Sequence, residues 1–302
     1  MPTLGDLVEA VVSDLNQFTT NQERTGTFVG WLVDDALNKT GVQLADISSD
    51  LTNARVELAS GELIHVTSYS LDGGTATCPP WFRAQMGTPL NDEVDENTRV
   101  VVNPQWPRYQ VAKRLVDGIR ALNADLFAVA ETELTSQPLP SNYELPSDCV
   151  GILNVTIEEI GPSRRQWPFN QWTLDTKNTD GKTYLRMDPL GIAGRTVRVT
   201  YRKAITVPDP ADLTSDWTDT GLPESAADLP GLWAKAVLIL SPEAARSQQQ
   251  AVEQGERQRT LQGWSASAVS RRWQELYATR LDVERRKLRD LYPVHVHKEL
   301  NG

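Results

Sequence analysis

Histidine and cysteine are almost missing from this chain, with three of the one and two of the other in 302 residues. A metal centre draws several His, Cys or carboxylate ligands to one point at fixed spacing. Here His295 and His297 supply two ligands and His65 stands apart, so no metal site is expected. Cys78 and Cys149 form no CxxC and are too few for a disulfide framework, which suits a reducing compartment. Cys149 heads a β-prone run and reads as a small core hydrophobe rather than a nucleophile. No GxxxxGK[ST] or GxSxG occurs, and Gly191-Ile192-Ala193-Gly194 lacks the spacing of a dinucleotide loop. The adjacent acids Asp34-Asp35 and Glu158-Glu159 point in different directions on a helix or strand, which does not suit a glycosidase pair. Neither a cofactor nor an enzymatic activity is expected. Apolar runs such as Ala236 to Leu240 fall far short of the roughly 20 residues that cross a bilayer. The start Met-Pro-Thr-Leu-Gly-Asp lacks the basic and apolar parts of a signal peptide, which implies a chain that stays where it is made.

Basic charge is also scarce, with 30 Lys and Arg against 40 Asp and Glu, for a net −10. That balance argues against a general nucleic-acid binder, because phosphate contacts need basic surface. The distribution is uneven. Nine basic residues (Arg257, Arg259, Arg271, Arg272, Arg280, Arg285, Arg286, Lys287 and Arg289) face three acids (Glu275, Asp282 and Glu284) between 257 and 289, so that segment carries +6 and the rest −16. Residues 209 to 228 hold six acids and no base.

What is present is periodic hydrophobicity in a chain long enough for two modules or one elaborate one. Leu4, Leu7, Val8, Val11, Val12 and Leu15 make one helical stripe. A second helix is predicted from about Thr27 to Asn38, N-capped by Thr27, with Phe28, Trp31, Leu32 and Leu37 as its apolar contacts. From Leu51 the period becomes two, with strands predicted at Arg55 to Leu58, Leu63 to Tyr69, Thr75 to Cys78 and Arg99 to Val102. A third helix carries Ala112, Leu115, Val116, Ile119 and Leu122. Further strands are predicted at Leu126 to Leu134, Cys149 to Glu159, Trp167 to Leu174, Thr183 to Met187 and Arg195 to Ala204. Helices follow at Leu229 to Leu240, from Ser241-Pro242-Glu243 to about Gln258, and from Ala266 to Tyr292.

The fold class is therefore α+β: a helical bundle from the N- and C-terminal helices, an inserted small β-barrel, and an antiparallel β-sandwich. The expected divisions are N-terminal helices (1–50), the inserted barrel (51–103), a bundle helix (104–123), the sandwich (124–207), an acidic loop (208–228), C-terminal helices (229–292) and a terminal tail (293–302).

Nine tryptophans remain to be placed. Trp81, Trp106, Trp167, Trp172 and Trp217 fall in loops or near strand edges, where exposed rings suit subunit or partner contacts. The basic last helix reads as a nucleic-acid patch, a solvated face, or the complement of an acidic neighbour. With acidic stretches in the same chain, head-to-tail contact between copies is reasonable, and such contacts close into rings.

The order of parts, the passage Leu145-Pro146-Ser147-Asp148-Cys149-Val150-Gly151-Ile152-Leu153-Asn154-Val155, the passage Ser60 to Tyr69 (SGELIHVTSY) and Gly221 to Asp228 (GLPESAAD) before a long helix resemble one family. It is that of the head-to-tail adaptor proteins of tailed double-stranded-DNA bacteriophages, in the tail-tubular-protein-A-like branch. The resemblance implies a ring of about twelve copies in the virion neck, assembled in the host cytoplasm. That ring joins the capsid portal to the next neck or tail protein and leaves a channel through which genomic DNA passes without specific binding. It implies no catalytic residue, no cofactor and no membrane contact. On this reading Arg285, Arg286, Lys287, Arg289, Tyr292, His295 and His297 dock on the portal. The alternatives are a carbohydrate-binding tail-fibre module, in which loop tryptophans stack on glycan, and a stopper, tail terminator or tail-tube component.

Overall fold

Helix α1 (Leu4–Asn16) starts at a capping box. The Thr3 hydroxyl accepts from the Asp6 amide at 3.1 Å and the Asp6 carboxylate accepts from the Thr3 amide at 2.8 Å. The next two amides of the helix start, which have no intrahelical partner, are satisfied from far along the chain. Leu4 donates to the Ser215 carbonyl at 2.9 Å and Gly5 to the Leu213 carbonyl at 2.8 Å. Of the predicted stripe, Leu4, Val8, Val11, Val12 and Leu15 are buried and Leu7 is half-buried.

The computed structural model describes residues 2–17, 24–33, 39–47, 50–78, 81–83, 85, 88, 94–137, 141–158, 166–169, 171–175, 182–187, 194–240 and 266–292. The chain forms two compact units. The first comprises Met1–Gly118, Pro208–Asp216 and Asp228–Tyr277, and the second Ile119–Val207, Trp217–Ala227 and Ala278–Gly302.

In the first unit, β1 (Arg24–Val33), β2 (Lys39–Ala45), β3 (Ala54–Glu57), β4 (Leu63–Val66), β5 (Ser70–Asp72), β6 (Thr75–Cys78), β7 (Trp81–Phe82) and β8 (Arg99–Val102) form one antiparallel sheet. Its order is β5-β6-β2-β1-β8-β3-β4-β7, and it curls into a half-barrel. The helix predicted over Thr27 to Asn38 is corrected here: residues 24–33 are β1, paired on both sides with β2 and β8, and 34–38 lie outside the described residues. Gly26 and Gly30 disfavour a helix, while Thr25, Thr27, Val29 and Val33 favour a strand. A Cβ on Gly26 would lie 2.5 Å from Ile47 Cγ1, so only glycine admits this approach. The β unit thus begins near Arg24 rather than Leu51. Phe28, Val42, Leu44, Val56, Ile64, Val66, Val100 and Val102 belong to its core.

Three further helices are α2 (Arg108–Leu122), α3 (Asp228–Leu238) and α4 (Ala266–Leu291). Of these α3 lies wholly in the first unit, while α2 passes into the second after Gly118 and α4 after Tyr277. Helix α3 packs on α1. Gly231 of α3 meets Val11, and Lys235 Nζ pairs with Asp14 Oδ2 at 2.7 Å. Gly118 lets α2 approach so closely that a Cβ would lie 3.2 Å from Pro230 Cα. The Ser270 hydroxyl of α4 donates to the Ala236 carbonyl at 2.7 Å.

The second unit holds β9 (Ala128–Thr135), β10 (Ser141–Glu144), β11 (Cys149–Glu158), β12 (Gln166–Pro168), β13 (Trp172–Asp175), β14 (Tyr184–Met187) and β15 (Thr196–Lys203). They form a four-stranded sheet, β12-β11-β15-β9, and a three-stranded sheet, β10-β14-β13, both antiparallel. Tyr143 and Leu185 from one sheet and Val155, Ile157, Val197 and Val199 from the other share one core. The single strand predicted from Trp167 to Leu174 is two strands in different sheets, and β10 is an addition to the predicted set. Part of the acidic loop is regular, with short 3-10 turns at Trp217–Thr220 and Glu224–Ala226. The helix predicted to Gln258 and the tail 293–302 lie outside the described residues. No described helix is long and apolar enough to cross a membrane.

Candidate functional site

The densest polar cluster of the first unit centres on Arg108. After Trp106-Pro107 this residue opens α2, and its amide is one of the donors a helix start leaves unsatisfied. The carboxylate of Glu57, on β3 and only 1% exposed, accepts from that amide. Glu57 also accepts from Arg108 Nη1 at 2.9 Å, while Glu9 of α1 takes Nε and, at 3.2 Å, Nη2. A buried anion at a helix N-terminus is further favoured by the helix dipole. Burial alone pulls the Arg108 pKa down. The hydrogen bonds of Glu9 and the charge of Glu57 outweigh it, so the net shift is upward. The cluster borders a cavity of about 240 Å³ whose walls include Gly5, Val8, Leu58, Arg99, Val101 and Leu213. Guanidinium and carboxylates satisfy one another here and present no activated nucleophile, so the arrangement joins α1, β3 and α2.

A second buried pair lies in the same unit. Glu62 accepts from Arg83 Nε at 2.8 Å and Nη2 at 2.7 Å, a bidentate bridge. The Arg83 guanidinium also lies 4.9 Å from the Trp31 ring, with Lys39 Nζ at 4.6 Å from the same ring.

The predicted docking residues of α4 fare unevenly. Arg285 pairs with Asp125, Arg286 with Asp282, and Lys287 Nζ with Glu284 Oε1 at 2.7 Å. Much of the positive charge read from sequence is thus matched within the chain. Arg289 is exposed, and the half-buried Tyr292 donates its amide to the Leu288 carbonyl at 2.9 Å. His295 and His297 lie outside the described residues.

The tryptophans divide similarly. Trp106 and Trp217 are each 2% exposed, which corrects their reading as rings offered to a partner. Both are consumed by the chain's own interior, and Trp217 Nε1 donates to the Pro223 carbonyl at 3.1 Å. Trp172 is half-buried against the second unit's core, whereas Trp167, on edge strand β12, is 55% exposed. The backbone of Trp81 pairs with Val66.

Burial pushes the Cys78 thiol up to about 11 and raises Cys149 as well, so neither is poised as a nucleophile. Among the described residues no group of three or more His, Cys, Asp or Glu is placed to hold a metal ion. Sequence reasoning passed over Glu9, Glu57, Glu62, Arg83 and Arg108. The available signal was a lone acid inside an apolar strand, Val56-Glu57-Leu58, and an Arg directly after Trp-Pro at a helix start.

No protein-family model matches the sequence, and no curated protein matches it. Among solved structures, a chain from the neck of an empty GTA particle computed with C6 symmetry is 14% identical, with a TM-score of 0.22 over 54% of this chain and 74% of that one. A chain from the neck of the native GTA particle computed with C12 symmetry is also 14% identical, with a TM-score of 0.20 over 54% of this chain and 79% of that one.

Proposed function

We propose that this chain is a structural, non-enzymatic neck protein of a phage-like particle. It forms a homo-oligomeric ring of about twelve copies that joins the capsid portal to the next neck or tail protein, a stopper or tail tube. The observation that carries this reading is the order of parts. An antiparallel sheet is inserted between α1 and α2, a second antiparallel β region follows, and the chain then returns through α3, which meets α1 and α2, and on into α4. That is the order on which the family resemblance rests. The finer reading of the fold is a bundle of α1 to α4 with a two-layer β-sandwich in the second unit.

The portal contact is assigned to Arg285, Arg286, Lys287, Arg289 and Tyr292, with His295 and His297 beyond them. Trp81, Trp167 and Trp172 are the tryptophans left for subunit contact. Excess acid elsewhere in the chain suits a conduit, because a basic lumen would hold phosphate. The ring and its place are tested by negative-stain imaging of the protein mixed with portal. A ring coaxial with the portal is expected. A protein that stays monomeric beside intact portals, and instead binds on a glycan array, would overturn the proposal in favour of the carbohydrate-binding module, for which Trp167 offers an exposed ring.

A further inference from the structure

The two edges of the four-stranded sheet differ. At one edge β12 is three residues long and ends in Pro168, a protected edge. At the other, β9 runs for eight residues without proline, in register with β15 from Lys203↔Ala128 to Thr196↔Thr135 and without a bulge. Among the described residues, no backbone hydrogen bond reaches β9 from any element but β15. Alternate residues of β9 therefore turn their amides and carbonyls outward, a template for a further strand.

The side chains of β9 state what that strand should look like. On one face Ala130 and Leu134 pack against the unit's core. On the other, exposed Glu131 and Glu133 flank Arg198, whose Nη2 donates to Glu133 Oε1 at 3.0 Å. An added strand should alternate apolar residues, over Ala130 and Leu134, with donors beside the two glutamates. One stretch of this chain has that pattern at β period and with β-branched residues: Val294-His295-Val296-His297-Lys298. Its valines share one face, and its histidines the other.

We infer that Val294–Lys298 of one copy adds to the open edge of β9 in a second copy, with Val294 and Val296 extending the apolar face and His295 and His297 donating to Glu131 and Glu133. The second copy is the chosen donor because an open strand edge and a matching segment elsewhere on the same chain are the two halves of a head-to-tail contact, the kind that closes into a ring. The inference rests on the ring reading and names the contact that closes the ring. It moves His295 and His297 out of the portal contact and leaves that contact to the helical residues.

The full chain and a variant ending at Tyr292 are compared for ring assembly against concentration by mass photometry, and for hydrogen exchange at residues 128–135. Loss of the segment should raise the assembly midpoint at least tenfold and remove exchange protection from the outward-facing amides of β9, while those bonded to β15 keep theirs. V294D/V296D should behave like the truncation. A synthetic peptide of residues 293–302 should bind the truncated chain and protect β9, whereas a scrambled peptide should not. Rings that form equally well without the segment would overturn the inference and leave the ring reading standing. A full chain that forms no ring with portal present, yet whose truncated form binds the peptide at β9, would overturn the ring reading and keep the seat. Peptide binding nowhere, or at another site, would overturn the seat.

Discussion

Replacing Arg108 by methionine keeps a long unbranched side chain but removes the cation that serves Glu57. With that carboxylate 1% exposed, the variant keeps a buried charge whose described hydrogen bond is the Arg108 amide. Breaking a buried pair from one side costs about 3–5 kcal/mol, because the partner's desolvation is no longer offset. For a unit of this size each kcal/mol lowers the melting temperature by about 2–4 °C, so a loss of roughly 6–20 °C is expected. Glu9 binds the same guanidinium, but its side chain is 54% exposed, so Glu9→Gln should cost no more than about 1 kcal/mol. The double variant Arg108→Met/Glu57→Leu leaves no stranded charge and should recover a large part of the loss. Differential scanning calorimetry of the four proteins, following the transition of the first unit, decides the matter. Equal losses for Arg108→Met and Glu9→Gln, or a double variant no better than the single, would refute the claim that a desolvated Glu57 dominates the cluster.

Thiol titration with an aromatic disulfide at pH 8 should be slow in the native protein and complete for both cysteines in denaturant, since a Cys78 pKa of about 11 leaves little thiolate. Fast native reaction of either thiol would contradict its burial. The Thr3 amide and hydroxyl hold Asp6 below the ordinary carboxylate range, and the Thr214 hydroxyl, with Ser215, does the same for Asp212. A depressed folded pKa contributes stability above the unfolded value and loses it as pH falls through the folded one, so these contacts should weaken below about pH 4. Carboxyl NMR titrations with midpoints at or above ordinary values would count against both. Gly221→Ala places a side chain at φ +76° with its Cβ 2.6 Å from Ala128 Cβ and should destabilise the second unit by about 1–3 kcal/mol in urea titration. A neutral substitution there would show that the 217–227 segment does not pack as described. Thr3→Ala, which removes half of the capping box, should cost about 1 kcal/mol.

Where a stripe or an alternation is long, sequence and structure agree. α1, α2 and α4 follow helical periods over three turns or more, and β15 alternates with Val197, Val199 and Tyr201 on its buried face. Residues 24–33 misled because Phe28, Trp31 and Leu32 also fit one helical turn. The deciding facts are the pairing of β1 with β8, some seventy residues away, and the close approach at Gly26. The split between β12 and β13 turns on Pro168 and on membership of different sheets, which local pattern does not carry. Trp106 and Trp217 looked like exposed rings because their flanking residues are polar or proline, yet each is 2% exposed. Of the three readings open for the basic helix α4, the pairing of Arg285 with Asp125 from another part of the chain fits the complement of an acidic neighbour.

The ion pair between Lys235 and Asp14 spans 221 residues of sequence. At translation rates of about 5–20 residues per second, α1 leaves the ribosome roughly 10–45 s before its partner helix exists. Through that interval Val11 lacks its contact at Gly231 and Asp14 its cation, so the side of α1 that faces α3 stands open. The first unit is therefore completed late in synthesis, and any chain released before Asp228 leaves that side of α1 uncovered, a substrate for chaperones and proteases.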